Sequence, residues 1–378
     1  MTATKRSAYS YFYVLAIISL LYFIIITFTQ LNNWGGWALT LFFLSLAIAF
    51  RGSPFMKGFS FSVIIIAGVC AGMYYPQYFV SVGSFKLSAL IVPLLQVIMF
   101  GMGTELSLKD FAKVFRMPRG ILVGIVCHYT IMPLVGFSLA YLFNFPNEIA
   151  AGIILVGCSP SGLASNVMSY LARANLALSV SVTTVSTLLA PFLTPLLMKL
   201  LGGQFVEVHF WAMAWDITKI VIFPVVAGLG FHYLIRGKLK WLDKAMPLLS
   251  MGAIAFIILI ILAAGRDSLM KVGALLILAT FLHNVIGLFL GYWSGRLLKF
   301  SERDCRTIAL EVGMQNAGLA SGLALTMGKL STVGLAPAIF GPIMNVNCST
   351  LASWWHNRLP EEDKPEKKNE KQGHLLIQ

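Results

Sequence analysis

The chain has 378 residues, 58% of them hydrophobic and 11% charged, with a mean hydropathy of +0.80. Soluble domains carry about 25% charged residues, so this chain lacks the polar surface to face water on all sides and reads as an integral membrane protein. Its formal net charge of +13 does not mark a nucleic-acid binder, because the cations fall in short loops between long apolar runs.

A helix needs about 20 apolar residues to cross the hydrocarbon core. In chain order, such runs predict twelve spans, at 10–29, 35–50, 58–79, 86–103, 119–143, 148–171, 174–201, 210–235, 247–265, 272–297, 303–328 and 333–357. The first run follows Lys5 and Arg6 but is too long for a signal peptide and lacks a small-residue cleavage site. The basic loops 51–57, 109–119, 236–244 and 296–306 alternate with the nearly neutral loops 30–35, 144–147 and 202–209. This positive-inside pattern places both termini in the cytoplasm of a cell (inner) membrane. The tail, 358–378, is charged and contains prolines, the composition of a disordered segment. Five cysteines, an odd number without C-x-x-C spacing, read as free thiols rather than a disulfide framework or zinc site.

The last ten spans divide into two groups of five, 58–201 and 210–357. A repeat with an odd number of helices enters the membrane in the opposite sense the second time. Such inverted repeats build many secondary carriers, with the binding site at the repeat interface. Gly162-Leu163-Ala164-Ser165 in the fourth helix of one group recurs as Gly318-Leu319-Ala320-Ser321 in the fourth helix of the other.

Those same two spans hold most of the polar residues that apolar helices ordinarily avoid. Span 148–171 contains Cys158-Ser159-Pro160-Ser161-Gly162-Leu163-Ala164-Ser165-Asn166. Proline removes a helical hydrogen bond, and in a membrane the freed carbonyls need a cavity, an ion or a neighbour. A simple kink, with serines bonded back to the helix, would carry the same residues. Span 303–328 adds Glu311, whose charge at mid-membrane costs about 2.5–3.5 kcal/mol on insertion scales. Gln315 lies one turn on and Asn316 follows it. Span 174–201 contributes Ser179 and Thr183 on one face. Carboxylate, amide and hydroxyl oxygens together suit a hard cation rather than zinc.

From Val92 to Trp355 the chain resembles the bile acid:sodium symporter family, in its bacterial type with two additional N-terminal helices. The matching segments are Met99-Phe100-Gly101-Met102-Gly103, Gly152-Ile153-Ile154-Leu155-Val156-Gly157-Cys158, Ala164-Ser165-Asn166-Val167-Met168, Leu178-Ser179-Val180 and Glu311-Val312-Gly313-Met314-Gln315-Asn316. The resemblance implies an all-α polytopic fold of inverted five-helix repeats. After an extra helix pair at 1–57, a panel domain would take 58–118 and 205–268. A core (transport) domain would take 119–201 and 269–357, with two discontinuous helices crossing near the midplane. It implies a sodium site on Ser165, Asn166, Ser179, Thr183 and Glu311, and a second on oxygens of Glu311, Val312, Met314 and Gln315.

Three positions depart from the family. His128 stands where a glutamine commonly completes the second sodium site, which implies a weakened site or partial proton coupling. Leu163 replaces a common threonine, and Met344-Asn345 replaces a common His-Asn pair. The last two changes make the expected cavity less polar, leaving Asn316 and Asn345 as the candidate substrate contacts. The expectation is a monomeric, sodium-coupled importer of a small organic anion: bile-acid-like, pantoate-like, or another carboxylate or sulfate. Na+ is its coupling ion, at one or two sites. A proton-coupled or uncoupled carrier, or a non-transporting sensor of the same fold, remains the alternative. An enzyme would need a nucleophile that the polar pair His283 and Asn284 does not supply.

Overall fold

The computed structural model describes residues 3–29, 34–53, 56, 59–106, 117–235, 240–360 and 362. Apolar runs become helices wherever they are long: α1 Ala3–Thr29, α2 Gly35–Phe50, α3 Ser60–Tyr74, the short α4 Gln77–Val80 and α5 Ile91–Glu105. Between α4 and α5 a small hairpin pairs Ser81 with Lys86 and Val82 with Phe85, turning on Gly83 at φ +60°. There follow α6 Pro118–Leu142, α7 Asn147–Cys158, α8 Ala164–Leu171 and α9 Leu176–Leu197. The second half holds α10 Phe210–Ile217, α11 Phe223–Ile235, α12 Lys240–Ala264, α13 Arg266–Leu297, α14 Glu302–Gly313, α15 Ala317–Thr326 and α16 Leu335–His356.

The helix ends have local causes. Pro118 opens α6 at a position where a missing N–H costs nothing. Asn175 caps α9 by accepting from the Leu178 N–H, and Ser301 caps α14 by accepting from Asp304 N–H. Glu302 and Asp304 in the first turn of α14 favour its positive end.

The fold is that of an all-α polytopic membrane protein. Among the described residues, six stretches are long and apolar enough to cross a membrane: Tyr9–Thr29, Leu87–Glu105, Pro118–Leu142, Leu176–Gly202, Phe210–Leu234 and Arg266–Leu297. They correspond to six of the twelve expected spans. Expected spans 35–50, 58–79 and 247–265 contain the shorter apolar helices Gly35–Phe50, Ser62–Tyr74 and Leu248–Ala264. Spans 148–171 and 303–328 are each two half-helices, and 333–357 is the single helix α16. Counting apolar residues cannot register a break whose flanks remain apolar. Two spans also carry a wider π turn, at Met198–Gly202 after α9 and Thr218–Ile222 between α10 and α11. Residues 107–116, 236–239 and 363–378, which carry part of the positive-inside pattern and most of the tail expected to be disordered, lie outside the described residues.

The N-terminal pair packs onto α3 by way of α2. Trp37 stacks on Tyr75 with centroids 4.6 Å apart, and Ser60 Oγ donates to the Ala47 carbonyl at 2.7 Å. The outer face of α1, including Ile17 and Phe28, stays exposed, as suits a helix against lipid. α3 packs on α12, and α5 on α11 and α12. The α5–α11 crossing is close because both contact positions are glycine. A Cβ at Gly103 would lie 2.2 Å from the Val225 carbonyl oxygen, and one at Gly228 2.1 Å from that of Phe100. A second group forms around α6, which packs against α7, α9, α13 and α14, while α16 packs on α13 and α7. The half-helices lie in this second group, and its buried side chains run through α7, α14 and α15.

Candidate cation and substrate site

The two broken helices meet at their breaks. Ser161 and Gln315 form an isolated antiparallel bridge. Gly162 N–H donates to the Met314 carbonyl at 3.0 Å, and Asn316 N–H donates to the Pro160 carbonyl at 2.8 Å. Gly162 is required here, because a Cβ would stand 2.7 Å from the Gln315 carbonyl oxygen. Each half-helix leaves carbonyls that hydrocarbon cannot satisfy, and the surrounding side chains supply the donors. At the end of α7, Thr194 Oγ1 donates to the Cys158 carbonyl at 2.7 Å and Ser159 Oγ to that of Leu155 at 2.8 Å. At the end of α14, Asn284 Nδ2 donates to the Gly313 carbonyl at 2.8 Å and Gln315 Nε2 to that of Val312 at 2.9 Å.

Glu311, on the last turn of α14, is completely buried. Four hydroxyls surround its carboxylate. Ser165 Oγ and Ser179 Oγ approach Oε1 at 2.6 and 2.5 Å, and Ser161 Oγ and Thr183 Oγ1 approach Oε2 at 2.7 and 2.8 Å. Asn166 Oδ1 lies 2.9 Å from Ser179 Oγ and 3.4 Å from Thr183 Oγ1, and Ser165 Oγ lies 3.2 Å from Thr183 Oγ1. Each hydroxyl has one proton to donate. Ser179 therefore serves either Glu311 or Asn166 but not both, and Thr183 faces the same choice. Oxygen lone pairs outnumber the protons between them. A cluster of this kind holds its negative charge well when a hard cation takes up the surplus.

The five residues expected at the first sodium site, Ser165, Asn166, Ser179, Thr183 and Glu311, are thus brought together from α8, α9 and α14. Ser161 joins them from the break itself. It stood in the polar motif of span 148–171 without being assigned a role there, since its direction depends on how the two breaks cross.

The second expected group is arranged differently. The Glu311 carbonyl faces His128 Nδ1 at 2.8 Å, and His128 Nε2 faces the Ser159 carbonyl at 2.9 Å. The Val312 and Met314 carbonyls already accept from Gln315 Nε2 and Gly162 N–H. Gln315 Oε1 is the atom left over: it is buried and has no hydrogen-bond partner. His128 therefore ties α6 to both breaks rather than pointing a free nitrogen at a cavity.

Among the expected substrate residues, Asn316 caps α15, its Oδ1 accepting from Leu319 N–H at 3.0 Å. That orientation leaves the Nδ2 amide as a donor. Asn345 and Leu163 are partly exposed, and Met344 is buried. His283 and Asn284 are supports: His283 Nε2 reaches the Met132 carbonyl at 2.9 Å, and Asn284 holds the Gly313 carbonyl. Their signal in the sequence was polarity inside an apolar span, which identifies a buried hydrogen-bonding duty but not its partner.

Comparison with known proteins places the chain among sodium-dependent transporters. The model of the Sodium Bile acid symporter family matches residues 92–272. The chain is 40% identical over 306 residues to the "Uncharacterized sodium-dependent transporter YocS" of Bacillus subtilis, covering 81% of this chain and 93% of that protein. It is 33% identical over 268 residues to the "Probable sodium/metabolite cotransporter BASS1, chloroplastic" of Arabidopsis thaliana, covering 71% of this chain and 67% of that one. It is also 33% identical over 290 residues to the "Ileal sodium/bile acid cotransporter" of Homo sapiens, covering 72% and 81%. With membrane-spanning helices, two breaks crossed over a buried oxygen cluster, and relatives of this kind across most of its length, the chain belongs to the sodium bile acid symporter family of membrane transporters.

Proposed function

We propose that the chain imports a small organic anion together with Na+ by alternating access, with the first sodium bound by Ser165, Asn166, Ser179, Thr183 and Glu311. The observation that carries this reading is the fully buried Glu311 carboxylate, held between the two breaks by hydroxyls that have too few protons for their acceptors. A cation there neutralises the carboxylate and draws α8, α9 and α14 together. The N-terminal ends of α8 and α15 then offer their positive dipole ends to an anionic group, and the Asn316 amide is a donor aimed by its own cap. Leu163 and Met344 give the substrate cavity an apolar side, and Asn345 adds a second amide. Rigid movement of the α6–α9 and α13–α16 core against the α3, α5, α11 and α12 panel would expose the site to either face.

The driving force is adequate. Two sodium ions on tenfold gradients supply about 2.7 kcal/mol, and one net positive charge adds about 2.3 kcal/mol per 100 mV. With a single sodium, a monoanion moves electroneutrally and accumulates only about tenfold. The occupancy of the second site thus decides the concentrating power. The unpartnered Gln315 Oε1 supports a second ion. The His128 contacts favour a second reading, in which a proton stands in for that ion. A neutral imidazole has one N–H, so only a protonated ring donates to both the Glu311 and Ser159 carbonyls.

The test is a thermal-shift screen of purified protein against bile acids, pantoate, oxo acids and sulfated steroids, with sodium or potassium. An anion whose stabilisation requires sodium and vanishes in Glu311→Ala is the expected result; no stabilisation by any anion in either salt overturns the substrate class. For His128→Gln, sodium-dependent uptake should lose its pH dependence and become steeper in sodium. A sodium dependence and pH profile identical to the parent would exclude the proton.

A further inference from the structure

A groove of about 1000 Å³ opens between α13 and α16, away from the Glu311 cluster. Its lining from α16 includes Asn347, Leu351 and Trp354, a helical stripe separate from Met344 and Asn345, and Arg358 follows just past the end of that helix. The groove is chemically graded along its length. One end is apolar, with Phe281, Val285 and Phe289 on α13; Tyr292, Trp354 and Trp355 follow; the other end holds Arg296, Arg306, Arg358 and Glu302. From Phe281 to Tyr292 the helix rises about 16 Å, close to the hydrocarbon depth of one leaflet, about 15 Å. Tryptophan and tyrosine then sit where aromatic side chains gather at the membrane–water boundary, and the arginines sit where headgroups would be. Phe289 and Trp354 are both substantially exposed, so the groove opens outward toward lipid.

The cations at the polar end are not equivalent. Arg306 is buried and fully engaged: it pairs with Glu302 at 2.9 Å and donates to the carbonyls of Ala172, Trp355 and Arg358. Arg296 lies 3.2 Å from the other Glu302 oxygen. The Arg358 guanidinium lies over the Trp354 ring at 3.9 Å and is exposed. Glu362, itself exposed, accepts from the Glu302 N–H at 2.6 Å. Among the described residues that line the groove, Arg358 is thus an exposed cation already flattened against an aromatic wall.

We propose that this groove is a binding site for an anionic phospholipid, with one acyl chain along Phe281, Val285 and Phe289 and the phosphate at Arg358. Charge complementarity argues for an anionic headgroup over a zwitterionic one, and the leaflet-length apolar wall argues for a lipid over a free phosphate. The site is wired to the broken helices. Asn347 Nδ2 donates to Asn284 Oδ1 at 2.9 Å, and Asn284 holds the Gly313 carbonyl two residues from Glu311. Arg306 holds the Ala172 carbonyl just past the end of α8. A lipid in the groove therefore braces both half-helices from outside the transport cavity.

The experiment uses the full chain purified in detergent, titrated with dioleoyl phosphatidylglycerol, dioleoyl phosphatidylcholine or glycerol 3-phosphate, with thermal shift as readout. Phosphatidylglycerol should raise the melting temperature, phosphatidylcholine should do so weakly, and glycerol 3-phosphate should not. Arg358→Glu should weaken the phosphatidylglycerol response about tenfold in concentration, and Val285→Trp, which fills the apolar end, should remove it. Arg358→Lys should keep most of it. Any shift on adding sodium should be the same in these variants, which separates failure of the lipid site from failure of the sodium reading. Equal responses to both phospholipids overturn the proposal, as does a phosphatidylglycerol response that survives Arg358→Glu. A response to glycerol 3-phosphate would make the groove a soluble-anion site and overturn the lipid. If Val285→Trp does not fold, the exposed Arg358 substitutions decide alone.

Discussion

The two broken helices share a plan and differ in chemistry. The break between α7 and α8 contains Pro160 and Gly162, and its surroundings supply hydroxyls: Ser161 from the break and Ser165 from the following half-helix. The break between α14 and α15 has no proline. It interrupts Met314, Gln315 and Asn316, and what precedes it is the carboxylate of Glu311. The tetrapeptide common to both makes the contrast sharp. Ser165 Oγ bonds Glu311 at 2.6 Å, whereas Ser321 Oγ bonds back to the Ala317 carbonyl of its own helix at 2.8 Å. One serine reaches the Glu311 carboxylate and its copy bonds within its own helix. The difference teaches that neither break makes a site alone: one presents charge, the other presents the dipoles that hold it, and the crossing unites them.

The largest effect should come from removing the crossing itself. Gly162→Ala drives a Cβ to 2.7 Å from the Gln315 carbonyl oxygen, backbone that cannot step aside as a flexible side chain would. The protein should lose about 1–3 kcal/mol of stability, read as a lower melting temperature, together with its sodium response. If Gly162→Ala retains both, the two breaks are not rigidly coupled.

A narrower effect, on stability more than on the sodium response, is expected for Asn284→Ala, which leaves the Gly313 carbonyl of the second break without its donor. An unsatisfied buried group costs about 1–3 kcal/mol. Because the residue lies outside the Glu311 oxygen cluster, the melting temperature should fall while apparent sodium affinity changes less. A fall in sodium affinity with unchanged stability would reverse that assignment.

The finest test divides the repeated serines. Ser165→Ala should weaken apparent sodium affinity about tenfold, equivalent to about 1.4 kcal/mol. Ser321→Ala should leave it unchanged, because its hydroxyl already has a partner within its own helix. Equal effects on sodium-dependent stabilisation would mean that the two serines play the same part.

Much of the site was legible residue by residue. Pro160 and Gly162 marked one interruption, Glu311 marked the other span as costly, and Ser179 and Thr183 showed a polar face at helical spacing. Ser161 escaped assignment although it lies beside Pro160, because its partner Glu311 is 150 residues away. His128 was expected to alter a cation site by its chemistry. Its position shows a geometric role as well, with both ring nitrogens on carbonyls of separate breaks. Asn284 was noticed only as a polar residue in an apolar run, and the carbonyl it serves belongs to another helix.

The amino-acid sequence by itself determined that the chain lives in a bilayer, where the helices are interrupted, and that carboxylate, amide and hydroxyl groups lie beside those interruptions. These properties are local: apolar length, proline chemistry and the cost of a buried charge act within one or two helical turns. Only the tertiary structure decided which donor meets which freed carbonyl, why Ser165 reaches Glu311 and Ser321 does not, and that Glu311 is surrounded by four hydroxyls. Those outcomes depend on the crossing of segments far apart in the chain. The angle and register of that crossing arise from close packing at Gly162 and from the mutual hydrogen bonds of the two breaks.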